Sequence, residues 1–443
     1  MKPVVVVGAG LSGLAAGVAL ASRSIPVLLL ERRPYAGGRA YSFRDRTTGD
    51  VIDNGQHLLI AGYARTRAYL ETIGSAHLLD IQTTPLLLFH HPRRGYLRLR
   101  LPALPSPLHL LAGVLASNLF AVGDKLGVLR AGAAIARESV SASGVPADWT
   151  IDRWLDRHGA SAEARASFWH PLAVSIMNEK PGAASARVFV RSLREAFLSH
   201  RTGAALAIPR AGLSELLVHP AVSYIRARGG EVRFGVDVAE TIEEGGKAVR
   251  VRSKGGAVVD ASSVILAVPS TNVAGLLPVS RHTDFHLREI SSTAVSPILC
   301  IHLWYDHRVS PHAVLGVLGR SVQWVFRHAR ANAGGERLSL VMSAAYEEAA
   351  LTNEALAARG IGDCVAIFGE CARSPYHAVV LREKRATFSL APEVEALRPD
   401  VRTPVPNLFL AGDWTATGLP ATVEGAIRSG ESAAACVVLT GSQ

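Results

Sequence analysis

Cysteine is scarce in this sequence. Cys300, Cys364, Cys371 and Cys436 are the four in 443 residues, with no CxxC pair and no histidine at zinc-ligand spacing. That pattern argues against a disulfide framework, dithiol redox chemistry and any bound metal. So few thiols, in a chain whose opening MKPVVVVGAG leaves no room for a targeting segment, lead us to expect a reducing, cytoplasmic setting. Lysine is nearly as rare, six of the 47 basic residues, so arginine carries the net charge of +10. An arginine-rich base composition and attraction to an anionic surface both account for it. Nucleic acid is not expected as a partner. The arginines are scattered, and the clusters HHPRRGYLRLR (90–100) and LREKR (381–385) have no recognisable binding module around them. In the uncharged stretch 101–123, prolines leave residues 108–122, shorter than the ~20 residues needed to span a bilayer. Internal repeats, low-complexity tracts and Gly/Ser linkers are also missing.

What is present begins at once. PVVVVGAG reads as a buried β-branched strand, LSGLAAGVALASR as an alanine-rich helix and IPVLLLERR as a second buried strand. Gly8, Ala9, Gly10, Ser12 and Gly13 form the turn between the first strand and the helix. Gly8 suits the tight turn, Gly10 lets backbone approach a pyrophosphate, and Gly13 lets helix and strand pack closely. Glu31 ends the second strand, where a carboxylate accepts hydrogen bonds from an adenosine ribose. A dinucleotide is expected here.

The next loop, RRPYAGGRAYSF, brings Arg32, Gly37, Gly38 and Arg39 into a second close approach. The chain closes on NLFLAGDWTATGLPATVEGAIRSGESAA (407–434), a buried strand ending at Gly412-Asp413 and a helix starting near Thr422 and Val423. Together these resemble the flavin amine oxidase and carotenoid desaturase superfamily. The resemblance implies FAD, with the GGR loop along its diphosphate and Asp413 beside the ribityl-diphosphate. It also implies the last helix N-terminus facing the flavin pyrimidine, where its N–H groups stabilise negative charge. RGGEVRFGVDVAETI (228–242) would bring Val238 to the adenine, and DASSVILAVPS (260–270) would bring Ala267 to the cofactor. The expected fold is α/β, a Rossmann-like FAD-binding domain with a discontinuous, amine oxidase-like α+β substrate domain. The FAD unit is expected over 1–85, 205–275 and 400–443, and the substrate unit over 86–204 and 276–399.

DNGQHLL (53–59) crowds polar side chains around one glycine and then runs into leucines. In the superfamily this segment crosses to the reactive face of the flavin, so Gly55, Gln56 and His57 would bond the flavin or face the substrate. The competing reading is a buried polar turn that satisfies itself. No second GxGxxG opens a later βαβ unit, so electrons must come directly from a substrate or from an external donor or reductase.

The segment FWHPLAVSIMNEKPGAASARVFVRSLREAF (168–197), with DNGQH and IPRAGLSEL (208–216), resembles the squalene-associated FAD-dependent desaturase-like family, the hydroxysqualene dehydroxylases of bacterial hopanoid biosynthesis. The likeness covers nearly the whole chain. It departs at NEKPGAAS, where a run richer in Pro and Glu is expected. The resemblance implies a long polyprenyl lipid substrate and hydride delivery from reduced FAD to an allylic carbon with loss of water. A general acid is then needed, and His57 and His170 are the candidates, with Gln56 beside them and Glu179 less favoured. Phe168, Trp169, Trp304 and Trp324 would line a lipid tunnel or simply fill a core. The alternative chemistry is a carotenoid-type desaturase or an amine oxidase, although no aromatic partner can be placed opposite WTATG for an amine cage. One more segment stands out. Residues 101–123 carry no charged side chain, and Pro102, Pro105 and Pro107 confine a helix to Leu108 onward. The segment suits peripheral contact with a membrane, the mouth of a lipid channel, or an ordinary buried helix.

Overall fold

The computed structural model describes residues 2–138, 144–278, 285–329 and 335–441. Residues 1, 139–143, 279–284, 330–334 and 442–443 fall within the expected units but lie outside the described residues. The nucleotide layer is a five-stranded parallel sheet. Its strands are β1 (Val4–Val7), β2 (Val27–Glu31), β3 (Glu231–Phe234), β4 (Ser263–Leu266) and β5 (Leu408–Leu410), in spatial order β3-β2-β1-β4-β5. Every residue of β1, β2, β4 and β5 is buried, as unbroken Val/Ile/Leu runs require when helices cover both faces. The order reverses at β1, so a crevice opens beyond its carboxyl end.

Helix α1 (Leu11–Ala21) follows β1, and α2 (Val423–Gly441) follows β5. The two helices pack so closely that a Cβ on Gly430 would lie 2.0 Å from the Ser12 carbonyl oxygen. Between β3 and β4 the chain makes an antiparallel meander, Val238–Glu244, Lys247–Ser253 and Val258–Asp260.

The second layer is a seven-stranded mixed sheet in which the next-to-edge strand, Val295–Tyr305, pairs with Glu336–Ser343 on one side and with the edge strand His377–Phe388 on the other. Helix Asn353–Phe368 lies on it, with Gly360 against Leu340 and Ile301. That cover explains why Val295–Tyr305 is buried on both faces rather than alternating.

The described residues between 108 and 197 are mainly helical, including Leu108–Ala116, Val122–Glu138, Ile151–Arg157, His170–Met177 and Ala186–Phe197. Pro107 caps the start of the first of these, which runs nine residues. It is not the ordinary buried helix of the sequence reading. His109, Gly113 and Val114 are buried, whereas Leu108, Leu111 and Leu115 are exposed. Among the described residues, no helix is long and apolar enough to cross a membrane.

Candidate functional site

A cavity of about 460 Å³ opens at the carboxyl end of β1 and runs from β2 to the turn after β5. That is the size range of cofactor sites. Its walls include Gly8, Gly10, Ser12, Glu31 and Arg32 on one side, Gly38, Arg39 and His57 across from them, and Gly412, Asp413, Thr422 and Val423 at the far end. Val238 and Ala267 line it as well.

The glycines divide their work. Gly8 has φ +104°, and a Cβ there would sit 2.6 Å from the Ala267 carbonyl oxygen. Gly13 is not on the wall; its missing Cβ makes room for the Gly8 carbonyl, 1.9 Å away. Gly10 differs from both. Its backbone is ordinary (φ −70°, ψ 176°), and a Cβ would meet no protein atom within 4 Å. The protein has no need of glycine at that position, so the space is kept for something else. Gly10 also caps α1 without any side-chain hydrogen bond, and no acid occupies the first turn. The first N–H groups of the helix therefore open on the cavity as an anion site. These features fit the dinucleotide diphosphate.

Two assigned residues act differently from expectation. Ala9 does not line the cavity; its N–H donates to Glu31 Oε2 (2.8 Å), and its carbonyl accepts the Gly37 N–H. Glu31 also accepts the Arg33 N–H at Oε1 (2.9 Å), so it closes the loop while facing the cavity. Each carboxylate oxygen keeps a second lone pair for a ribose hydroxyl.

At the far end, Arg39 donates to Asp413 Oδ2 (2.6 Å) and to the Ala386 carbonyl, joining the GGR loop to the GDW turn. The turn itself is held by Arg398, whose side chain is fully buried. Its guanidinium donates to the Asp413, Thr415 and Leu419 carbonyls, to Thr417 Oγ1 and to Glu395. Ser429 of α2 accepts the Gly412 N–H (2.9 Å). Thr422 Oγ1 accepts the Gly425 N–H (3.1 Å), which starts α2 at the cavity wall.

The DNGQH turn splits into structural and cavity-facing parts. Asp53 accepts the Ser42 hydroxyl (2.6 Å) and the Leu213 N–H (2.9 Å), and Asn54 donates to Glu383 (3.2 Å). Gly55 and Gln56 do not reach the cavity wall. The Gly55 carbonyl is taken by His57 Nδ1 (2.7 Å), and the Gln56 backbone lies by the buried Cys300 thiol. His57 does reach the wall. Burial pushes its imidazolium pKa below the usual value, and Arg39 lowers it further, against the Gly55 carbonyl and Asp53. A neutral ring donating from Nδ1 carries its lone pair at Nε2.

His170 is not brought to this cavity. It begins helix His170–Met177 and pairs through Nε2 with Asp152 Oδ1 (2.8 Å), both half-exposed. Glu179 is no free acid: it accepts from Tyr346 (2.7 Å), Ser389 (2.7 Å) and the Lys180 N–H (2.9 Å). Phe168 and Trp169 stack edge-on in the core. Trp304 donates to Asp50 and Trp324 to Ser175, each at 2.7 Å, and neither borders this cavity.

Sequence reasoning missed Arg398, Trp414, Asp237 and Lys254. Trp414 donates to the Val268 carbonyl (2.9 Å) and lines the cavity. Asp237 and Lys254 form a 2.7 Å ion pair on the wall by Val238. Trp414 is the last residue of the GDW motif. A lone arginine or a pair 17 positions apart gives no such signal.

The chain matches the family described as flavin containing amine oxidoreductase over residues 11–438. It is 34% identical to hydroxysqualene dehydroxylase of Rhodopseudomonas palustris, covering 99% of both chains. It is 32% identical to the protein of that name from Sinorhizobium fredii, covering 98% of this chain and 97% of the relative. A 15-cis-phytoene desaturase of Synechococcus elongatus is 23% identical, with 98% and 95% covered. Among solved structures, cyclohexylamine oxidase from Brevibacterium oxydans superposes with a TM-score of 0.74 at 17% identity, covering 100% of both chains.

Proposed function

The chain belongs to the flavin containing amine oxidoreductase family, an FAD-dependent oxidoreductase by descent, and on that premise we propose that it reductively removes an allylic hydroxyl from hydroxysqualene. The overall change is R–OH + 2 e⁻ + 2 H⁺ → R–H + H₂O. The observation that carries this reading is the 34% identity to a hydroxysqualene dehydroxylase, end to end.

FAD would be held by the α1 N-terminus, Glu31, the Gly38-Arg39 loop and the Gly412-Asp413 turn, and when bound and reduced it supplies the two electrons. An external donor or reductase replenishes them. The chain's own task is to bind a long polyprenyl lipid, keep water from the reacting carbon, and bring a proton to the departing oxygen. His57 is the cavity residue suited to the last step: with Nδ1 held by the Gly55 carbonyl, its Nε2 takes up a proton and the resulting imidazolium passes it on. Its lowered pKa makes the protonated ring a stronger acid than an ordinary histidine. Allylic delocalisation stabilises the carbon as the hydroxyl leaves.

The test is anaerobic. Dithionite-reduced holoprotein is mixed with hydroxysqualene, flavin absorbance near ~450 nm is followed, and the lipid is extracted. Reoxidation with stoichiometric squalene supports the reading. A flavin that stays reduced over unchanged lipid rejects it, and the oxidised protein is then tried on carotenoid precursors and amines, where the desaturase relative points.

A further inference from the structure

We infer that the face formed by helix Leu108–Ala116 and the start of helix Val122–Glu138 docks on an anionic phospholipid bilayer. Leu104, Leu108, Leu111, Leu115, Val122 and Leu126 expose between 39% and 87% of their surface. In the first helix the exposed leucines fall at i, i+3 and i+7, one continuous stripe. Its opposite face is fixed to the protein, with His109 and Val114 buried and a Gly113 Cβ position 2.6 Å from the Leu101 side chain and 2.9 Å from the Arg100 carbonyl. The second helix packs against the first, and Lys125 joins them by donating to the Leu115 carbonyl (2.5 Å). The stripe is therefore held outward on a rigid support.

Charge chooses the occupant. Residues 92–138 contain seven basic side chains and two acids, Asp124, which accepts the Ser161 hydroxyl (2.5 Å), and Glu138, which accepts the Trp154 indole N–H (2.8 Å). Strand Gly95–Arg100 alternates exposed Tyr96, Arg98 and Arg100 with buried Leu97 and Leu99, and it runs beside the first helix, the Arg98 carbonyl accepting the Ser117 hydroxyl (2.7 Å) just past the helix end. Arg130 is exposed one turn beyond Leu126. Among the described residues, Arg98, Arg100 and Arg130 form no ion pair. A second copy of this chain seated on the same face would set cation against cation, whereas an anionic headgroup layer meets the arginines as the leucines enter the acyl boundary. The inference stands apart from the reaction proposed above and is read without turnover.

The experiment uses the FAD-loaded full chain and sedimentation with vesicles of phosphatidylglycerol in phosphatidylcholine, or of phosphatidylcholine alone. The protein should pellet with the anionic vesicles and less with the neutral ones. Leu108→Ser/Leu111→Ser/Leu115→Ser should weaken binding at least about tenfold at any salt. Arg98→Glu/Arg100→Glu should weaken binding only to the anionic vesicles. An unchanged flavin-to-protein absorbance ratio shows the fold intact. Should the triple variant lose flavin, Val122→Ser/Leu126→Ser on the second helix asks the same question. Wild-type protein left in the supernatant, or leucine variants that pellet like wild type, would overturn the inference. A wild-type dimer that these substitutions turn into a monomer would also overturn it, assigning the face to a second copy.

Discussion

Gly10→Ala and Gly13→Ala separate what the cofactor demands from what the fold demands. At position 10 the added methyl meets nothing in the protein within 4 Å, and the backbone angles suit alanine. Removing a glycine also narrows the unfolded ensemble, so apoprotein stability should hold or rise by roughly 0.4–1 kcal/mol. The same methyl projects into the diphosphate cradle. Overpacking there costs about 1–3 kcal/mol, which is a loss of FAD affinity of roughly 5- to 150-fold. Gly13→Ala instead drives a methyl to within 1.9 Å of the Gly8 carbonyl oxygen, an atom that moves only with the backbone. It should destabilise the apoprotein by roughly 3 kcal/mol before any FAD is added. Urea unfolding of both apoproteins and titration with FAD, followed by quenching of flavin fluorescence, read the two effects separately. Wild-type FAD affinity in Gly10→Ala would refute the cradle assignment. A destabilised Gly10→Ala apoprotein would refute the claim that the space is open.

Arg398→Met strips the GDW turn of three carbonyl partners and a hydroxyl contact, and urea titration should show a loss of about 3–5 kcal/mol with weaker FAD retention. Arg398→Lys keeps the charge but not the planar fork, so it should recover less than half. Stability should also fall in mild acid. His302 is pushed down to about 3 and His328 well below its ordinary value, both by burial first and Arg337 next. Native His302 and His328 stay neutral while the unfolded chain takes up protons below pH ~6.5. Their contribution is thus complete above that pH and shrinks by about 1.4 kcal/mol per unit for each as pH falls. Unfolding midpoints flat from pH 8 to 7 and declining by pH 5 are expected, and His302→Asn should soften the decline. His57→Gln should lower single-turnover squalene formation roughly 100-fold or more. The wild-type rate should fall as pH rises through the lowered His57 pKa, and a variant with the same alkaline limb would relieve His57 of the proton.

The nucleotide layer was legible because its physics is local. Four-valine β1, the glycine turn and Glu31 lie within 31 residues, and the periodicity of each element declares it. The far wall was read from GGR and GDW, and the structure places Gly38, Arg39, Gly412, Asp413, Thr422 and Val423 around one cavity. DNGQH was half legible. Its polar groups at Asp53 and Asn54 tie the turn to Ser42, Leu213 and Glu383, and it reaches the cavity at His57 alone, since one turn cannot aim every side chain the same way. His170 and Glu179 misled for a related reason. Nothing in a sequence tells a histidine committed to Asp152, or a carboxylate with three donors already, from a free one. Arg398 was invisible because its acceptors are mostly backbone carbonyls.

Arg39 and Asp413, which meet at 2.6 Å, are separated by 374 positions. A chain growing from its N-terminus on the ribosome therefore presents β1, α1 and the GGR loop long before anything can close over them. Until β4, β5 and α2 follow, one edge of β1 has no neighbour and the Gly8–Gly13 turn lacks its opposite wall. Cofactor capture consequently belongs to the finished polypeptide. The last helix works as a latch, and a chain stopped short of Gly412 would hold half a cradle and retain no flavin.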